Sequence, residues 1–121
     1  MTPQEFQSIL PCYFGQKVYN TMNQRSYHFI AWIPNDSNGE WGTLYTRDAF
    51  DNVCWHTTSI NWLKLILRKM EDMTEEENEK LDITAEGCIT IQGFNYLRSI
   101  GVDTDNLIEA GWAIHQKEVQ L

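Results

Sequence analysis

The sequence predicts an α+β fold: a small, curled antiparallel β-sheet from the N-terminal half, packed with short helices from the C-terminal half. Three observations carry this. Residues 27–46 hold two runs of aromatic and β-branched residues around a polar turn, the pattern of a hairpin. Thr74-Glu75-Glu76-Glu77 has the chemistry of a helix start. From Thr90 onward apolar residues recur at helical spacing. No repeat, low-complexity linker or boundary divides the 121 residues, so 1–121 is read as a single domain.

The elements follow in order. Thr2-Pro3-Gln4-Glu5 predicts a short helix: Thr2 caps, Pro3 fits the first helical position and Glu5 reaches back. Phe6, Ile9 and Leu10 form its apolar stripe, and Pro11 stops it. Lys17 to Met22 alternates loosely as a strand. Tyr27 to Ile33 and Glu40 to Thr46 are the hairpin arms, and Pro34 to Gly39 is its polar tip. Val53 to Thr58 is a further short strand.

In "LKLILRKMEDMTEEENEKL", residues 63–81, Leu63, Leu65 and Leu67 alternate at period two, while Trp62 and Ile66 also suit a helical face. Periodicity leaves strand and helix open there. Thr74 with Glu77 three residues on starts a new helix, and acids in the first turn complement the helix dipole. A helix after Thr90 carries Ile91, Phe94 and Leu97, and Gly101 ends it. Asp103 or Thr104 caps a last short helix with Leu107, Ile108 and Ala110, closed by Gly111. The tail from Trp112 forms a short edge strand or lies on the surface.

Apolar residues make up 42% of the chain, enough to build a core. Three cysteines, Cys12, Cys54 and Cys88, are a poor disulfide framework and are read as free, partly buried thiols of a reducing compartment. The first ten residues lack the pattern of a signal peptide, and the most apolar run, Tyr27 to Ile33, is too short to span a bilayer. A soluble, cytoplasmic protein is expected, with no membrane contact. Net charge is −8, with five acids against three bases in residues 1–60 and twelve against six in 61–121. No basic stripe is present, so direct nucleic-acid binding is not expected.

The segments "LKLILRKMEDMTEEE" and "GVDTDNLIEAGWAI" resemble a group of small uncharacterised proteins encoded by phages and prophages of Bacteroidetes-type gut bacteria. The matching residues are Leu65-Ile66-Leu67-Arg68, Asp72-Met73-Thr74-Glu75-Glu76-Glu77 and Leu107-Ile108-Glu109-Ala110-Gly111, so the resemblance covers roughly the C-terminal half. Such proteins usually carry Pro where this chain has Lys69. A proline there denies helix continuity, so the resemblance implies a strand over 63–68. It also implies a phage or prophage origin and a bacterial cytoplasm. It supplies no activity.

The chain carries few residue patterns that point to chemistry. Cys54 and His56 share one side of a strand, but zinc needs about four ligands in paired groups, and no second pair accompanies them. Asp103-Thr104-Asp105-Asn106 fails as a calcium loop, because Leu107 and Ile108 occupy the third-ligand and glycine positions. A nucleophilic site from Cys54 and His56, with Asp48 or Asp51 upstream, lacks any surrounding signature. No phosphate-binding glycine loop is present. No cofactor, metal or catalytic residue is assigned.

The expectation is a non-enzymatic phage accessory protein that binds another protein, with anti-defence or host-factor modulation as its role. The alternatives are a small self-associating virion protein and a small Cys/His hydrolase. Aromatic residues at strand spacing usually pack inside, and this is expected of most of the five tryptophans. Trp41 and Tyr45, beside the hairpin tip, are the candidate contact residues, as are the acids Glu75, Glu76 and Glu79.

Overall fold

The computed structural model describes residues 2–35 and 40–119. Helix α1 (Pro3–Ile9) starts as predicted: the Thr2 hydroxyl accepts from the Glu5 N–H at 3.2 Å, and the Glu5 carboxylate accepts from the Thr2 N–H. Pro11 sits in a 3-10 turn, Leu10–Tyr13, that ends it. Five strands follow: β1 (Lys17–Asn20), β2 (Arg25–Pro34), β3 (Trp41–Arg47), β4 (Val53–Ser59) and β5 (Leu63–Leu67). Asp36–Gly39 of the predicted hairpin tip lie outside the described residues. Three helices come next, α2 (Glu75–Lys80), α3 (Ile91–Ser99) and α4 (Leu107–Ala110), and then strand β6 (Ala113–His115).

The six strands form one sheet in the order β4-β3-β2-β1-β5-β6. All pairs are antiparallel except the last, where β6 runs parallel to β5. The α+β fold and the antiparallel sheet expected from the N-terminal half are present, and the tail supplies a parallel edge strand. Parallel strands need a long crossover, and the segment carrying α2, α3 and α4 supplies it.

The sheet is curled. The Asn20 side chain on β1 donates to Thr58 Oγ1 on β4 at 3.3 Å, although β2 and β3 lie between them. In a flat sheet those strands would stand about 14 Å apart. The concave side therefore holds the core: Phe6, Leu10 and Tyr13 from the N-terminal helices pack on Val18, Phe29, Leu44, Leu65 and Leu67, with Leu107 of α4. Trp32 packs against Gly42, where an added Cβ would stand 2.4 Å from the indole ring. A second, smaller cluster joins Met73, Leu97 and Val102 beyond the end of β5.

Three expectations about burial change. In α3 the inward residues are Gly93 and Leu97, while Ile91 is 82% exposed and Phe94 is also exposed. Gly93 faces inward because a Cβ there would meet the Asp82 carbonyl at 2.6 Å, so the helix turns its one featureless position to the tightest approach. Cys12 and Cys88 are exposed, and only Cys54 is half-buried; all three are free. Trp55 is 68% exposed and so is not a core aromatic.

Candidate protein-contact face

Strand alternation sends one set of side chains into the concave core and the other to the convex face. On β3, Gly42, Leu44 and Thr46 are buried, while Trp41, Thr43, Tyr45 and Arg47 face out. On β4 the register places Thr57 opposite Thr43, Trp55 opposite Tyr45 and Val53 opposite Arg47. On β2, Ala31 and Ile33 stand opposite Tyr45 and Thr43. The result is a continuous apolar stripe across three strands: Ile33, Tyr45, Trp55 and Val53, with Phe50 exposed on the β3–β4 turn. Trp41 ends the stripe, 39% exposed and packed edge-on against Trp62 at 5.2 Å between ring centres.

The charge of this face is opposite in sign to that of the chain. Among the described residues, no acidic residue falls within a strand. The charged side chains that alternate outward are Lys17, Lys64 and Arg47. Lys17, His28 and Arg47 form a row across β1, β2 and β3. Arg47 also meets Asp51 in the β3–β4 turn at 3.2 Å. A shallow cleft of about 330 Å³ lies by Lys17 and His28, floored by Ile66.

The two predicted contact sets are thus on separate elements. Trp41 and Tyr45 belong to the convex face. Glu75, Glu76 and Glu79 are exposed on α2, which follows β5 and carries no buried residue. Glu76 pairs with Lys80 at 3.2 Å. Trp55, Ile33, Val53 and Phe50 were not singled out from sequence. The signal for Trp55 was present: if Cys54 and His56 share one side of a strand, Trp55 points to the other.

Cys54 and His56 do face the same, concave side. Among the described residues, no hydrogen bond joins them. The Cys54 thiol donates to Asp48 Oδ2 at 3.9 Å, while the His56 ring lies 4.9 Å from Tyr27, with Thr46 Oγ1 3.5 Å from Nε2. Asp48 is occupied in building the turn. It accepts from the Phe50 and Asn52 N–H groups, and the bond from Asn52 leads in holding its carboxyl below the usual range. No group of three or more His, Cys, Asp or Glu is placed to hold a metal among the described residues.

The "LILR" and "DMTEEE" residues are tied together structurally. Arg68, at the end of β5, forks onto Glu77 with bonds of 2.6 and 2.8 Å and donates to the Asp72 and Ile100 carbonyls. Glu77 also accepts from the Thr74 N–H, and the Thr74 hydroxyl accepts from the Glu77 N–H. The Arg68 fork above all holds the Glu77 carboxyl down at about 2. Asp72 accepts from His115 Nε2 at 2.5 Å and from Lys117. The Lys117 N–H points at His115 Nδ1, which leaves the ring proton on Nε2 to face Asp72. These bonds hold the Asp72 carboxyl far below its ordinary range, the His115 bond contributing most. Asp72 thereby fastens the residues after β5 to those around β6.

Helix α4 starts later than predicted, with Asn106 at φ 55° in the N-cap position, but Asp103 still serves its first turn. Its carboxylate accepts from the Leu107 N–H at 2.9 Å and the Ile108 N–H at 3.0 Å, capping α4, and Gly111 closes that helix at φ +88°. Beside this cap, a cleft of about 530 Å³ is lined by Lys69, Met70, Asp103, Asn106, Ile108 and Glu109. Compared with protein-family models, curated proteins and solved structures, the chain matches none. No described helix is long and apolar enough to cross a membrane.

Proposed function

We propose that this chain is a non-enzymatic accessory protein that acts by binding another protein through the convex face of β2, β3 and β4. The observation that carries the reading is the Tyr45–Trp55 pair, Trp55 exposed and Tyr45 half-buried beside it, set on the sheet with Ile33 and Val53 exposed nearby. Exposed aromatics on a fixed backbone lose little freedom on binding and dominate interface energetics. A contiguous apolar patch of this kind is also uncommon on a monomer without a partner. The cations on the strands beside it, where the described strands carry no acid, favour a neutral or acidic partner surface. The acids of α2 are the less favoured contact set, because local helix capping accounts for Glu77 and the dipole for its neighbours. The phage or prophage setting, and with it anti-defence or host-factor modulation, rests on the resemblance of the C-terminal segments.

A second reading draws on the same face. Aromatics beside cations on an acid-free sheet also suit single-stranded nucleic acid, whose bases stack on such rings. One experiment separates the two. The tagged protein is purified from a related bacterial host with and without nuclease. A protein retained at fixed ratio after nuclease treatment supports protein binding. Material lost with nuclease supports the second reading, and a bare protein counts against both.

A further inference from the structure

The strands beside the contact stripe carry a second pattern on the convex face. On β1, Lys17 and Tyr19 alternate outward; the register sets His28 opposite Lys17, and Ser26 and Lys64 on either side of Tyr19. Alternation along β5 puts Ile66 on the same face as Lys64. Lys17 and Lys64 are therefore diagonal neighbours, about 7–8 Å apart at the backbone. The cleft of about 330 Å³ opens beside them, lined by Gly15, Gln16, Lys17, His28, Ile66 and Gln116, with no acid in its lining. Its floor, Ile66, is apolar and only 8% exposed.

The cations of this patch lack the partners that the others have. Among the described residues four basic side chains are half-buried: Lys17, Lys64, Arg68 and Arg98. Arg68 meets Glu77 at 2.6 Å, and Arg98 meets Asp105 at 3.2 Å. Lys17 and Lys64 meet no acid and make no side-chain hydrogen bond, in a chain with 17 acids to 9 bases. The His28 ring is equally without a partner. Two half-buried ammonium groups this close repel each other unless an anion lies between them. Ser26, on the same face, holds one of the two described buried side-chain polar atoms that have no hydrogen-bond partner. Such atoms are almost always satisfied in a folded protein.

We propose that Lys17, Lys64 and His28 hold the phosphoryl group of a small phosphomonoester, whose body lies in the cleft over Ile66. A phosphoryl group gathers close to two negative charges and three acceptor oxygens on one centre. Two ammonium groups and one ring N–H match both counts. The cleft is at the small end of ligand sites, with room for a small sugar or polyol phosphate and not for a dinucleotide. The site stands on β1, β2 and β5, beside the Tyr45–Trp55 stripe, so its failure would leave the protein-binding reading untouched.

NMR titration of the whole chain tests it at constant ionic strength. The probes are glycerol phosphate, inorganic phosphate, glycerol, succinate and a short single-stranded DNA. Glycerol phosphate should bind saturably and move the His28 ring signals and the Lys17 and Lys64 amide signals. Inorganic phosphate should bind more weakly at the same residues, and glycerol should not bind. Lys17→Met and Lys64→Met keep an apolar stem and remove one charge each; either should weaken binding roughly tenfold or more. Lys69→Met, which removes an exposed lysine after β5, should leave binding unchanged. Each variant is first shown to be folded, and the two site lysines are tested independently, so one that fails to fold leaves the other. No saturable binding of either phosphate, or an equal loss in all three variants, overturns the proposal. Succinate binding as tightly as glycerol phosphate overturns the phosphoryl assignment. DNA bound at these residues, with glycerol phosphate left unbound, overturns it too and gives the face to a nucleic-acid backbone.

Discussion

Tyr13→Phe isolates the network that joins the N-terminal turn to the loop before α4. Tyr13 has no solvent exposure. Its hydroxyl donates to Asp105 Oδ2 at 2.7 Å, accepts from the Thr104 N–H at 3.2 Å and lies 3.1 Å from Thr104 Oγ1. Phenylalanine keeps the ring and removes all three contacts. A buried bond to a charged acceptor is worth about 1.5–3 kcal/mol and a neutral one about 1 kcal/mol. Asp105 keeps Arg98 at 3.2 Å, which limits the loss on that side. The Thr104 N–H loses this acceptor. The expected destabilisation is about 2–3 kcal/mol, a fall in Tm of about 6–12 °C for a chain of this length. Urea melts should show a lower midpoint with an unchanged slope.

The same bonds make an alkaline signature. Burial above all pushes the Tyr13 hydroxyl up to about 12 from its ordinary 10.0. Between those values the unfolded chain has lost the proton and the folded chain keeps it. Stability contributed by Tyr13 is therefore complete below pH 10 and is lost as pH rises toward 12. Tyr13→Phe should lack that component. A variant within about 0.5 kcal/mol of the wild type would refute the claim that this network holds the two segments together.

Three further outcomes are expected. Glu77, depressed from 4.5 to about 2 chiefly by Arg68, stabilises the fold above the upper value, and its contribution is lost as pH falls through the lower one; Glu77→Gln should flatten that limb in urea melts. Gly42→Ala should destabilise by about 2–4 kcal/mol and red-shift tryptophan emission, because the new methyl would meet the Trp32 ring and the Ile33 carbonyl within 3 Å. Asp103→Ala should cost about 1–2 kcal/mol by uncapping α4, read by thermal melting with circular dichroism; an unchanged midpoint would show that the two N–H bonds are replaced by water.

Signals that act within a few residues were legible in the sequence. The Thr2 and Thr74 caps, the Asp103 cap, the stop at Pro11 and the strand runs each depend on neighbours only. The partner of Glu77 was not legible, because Arg68 lies nine positions upstream across a turn and nothing in the spacing aims it back. The parallel pairing of β6 was equally hidden, since it depends on where the crossover delivers the chain. In α3 the apolar spacing of Ile91 and Phe94 pointed to the wrong face. The inward positions are Leu97, which the spacing did include, and Gly93, set by a close approach to the Asp82 carbonyl rather than by hydrophobicity. At the contact face, period two in "VCWHTT" already placed Trp55 opposite Cys54 and His56. What it could not supply was which side of the sheet the core occupies.

The central claim is that the convex sheet face, and not the acidic helix, makes the contact. Wild type, a Tyr45→Ser/Trp55→Ser variant and a Glu75→Gln/Glu76→Gln/Glu79→Gln variant would be purified from the same host after nuclease treatment, each first shown to be folded. The account predicts that the partner stays with the wild type and the helix variant and is lost from the sheet variant. A partner that stays with the sheet variant and leaves the helix variant would contradict it.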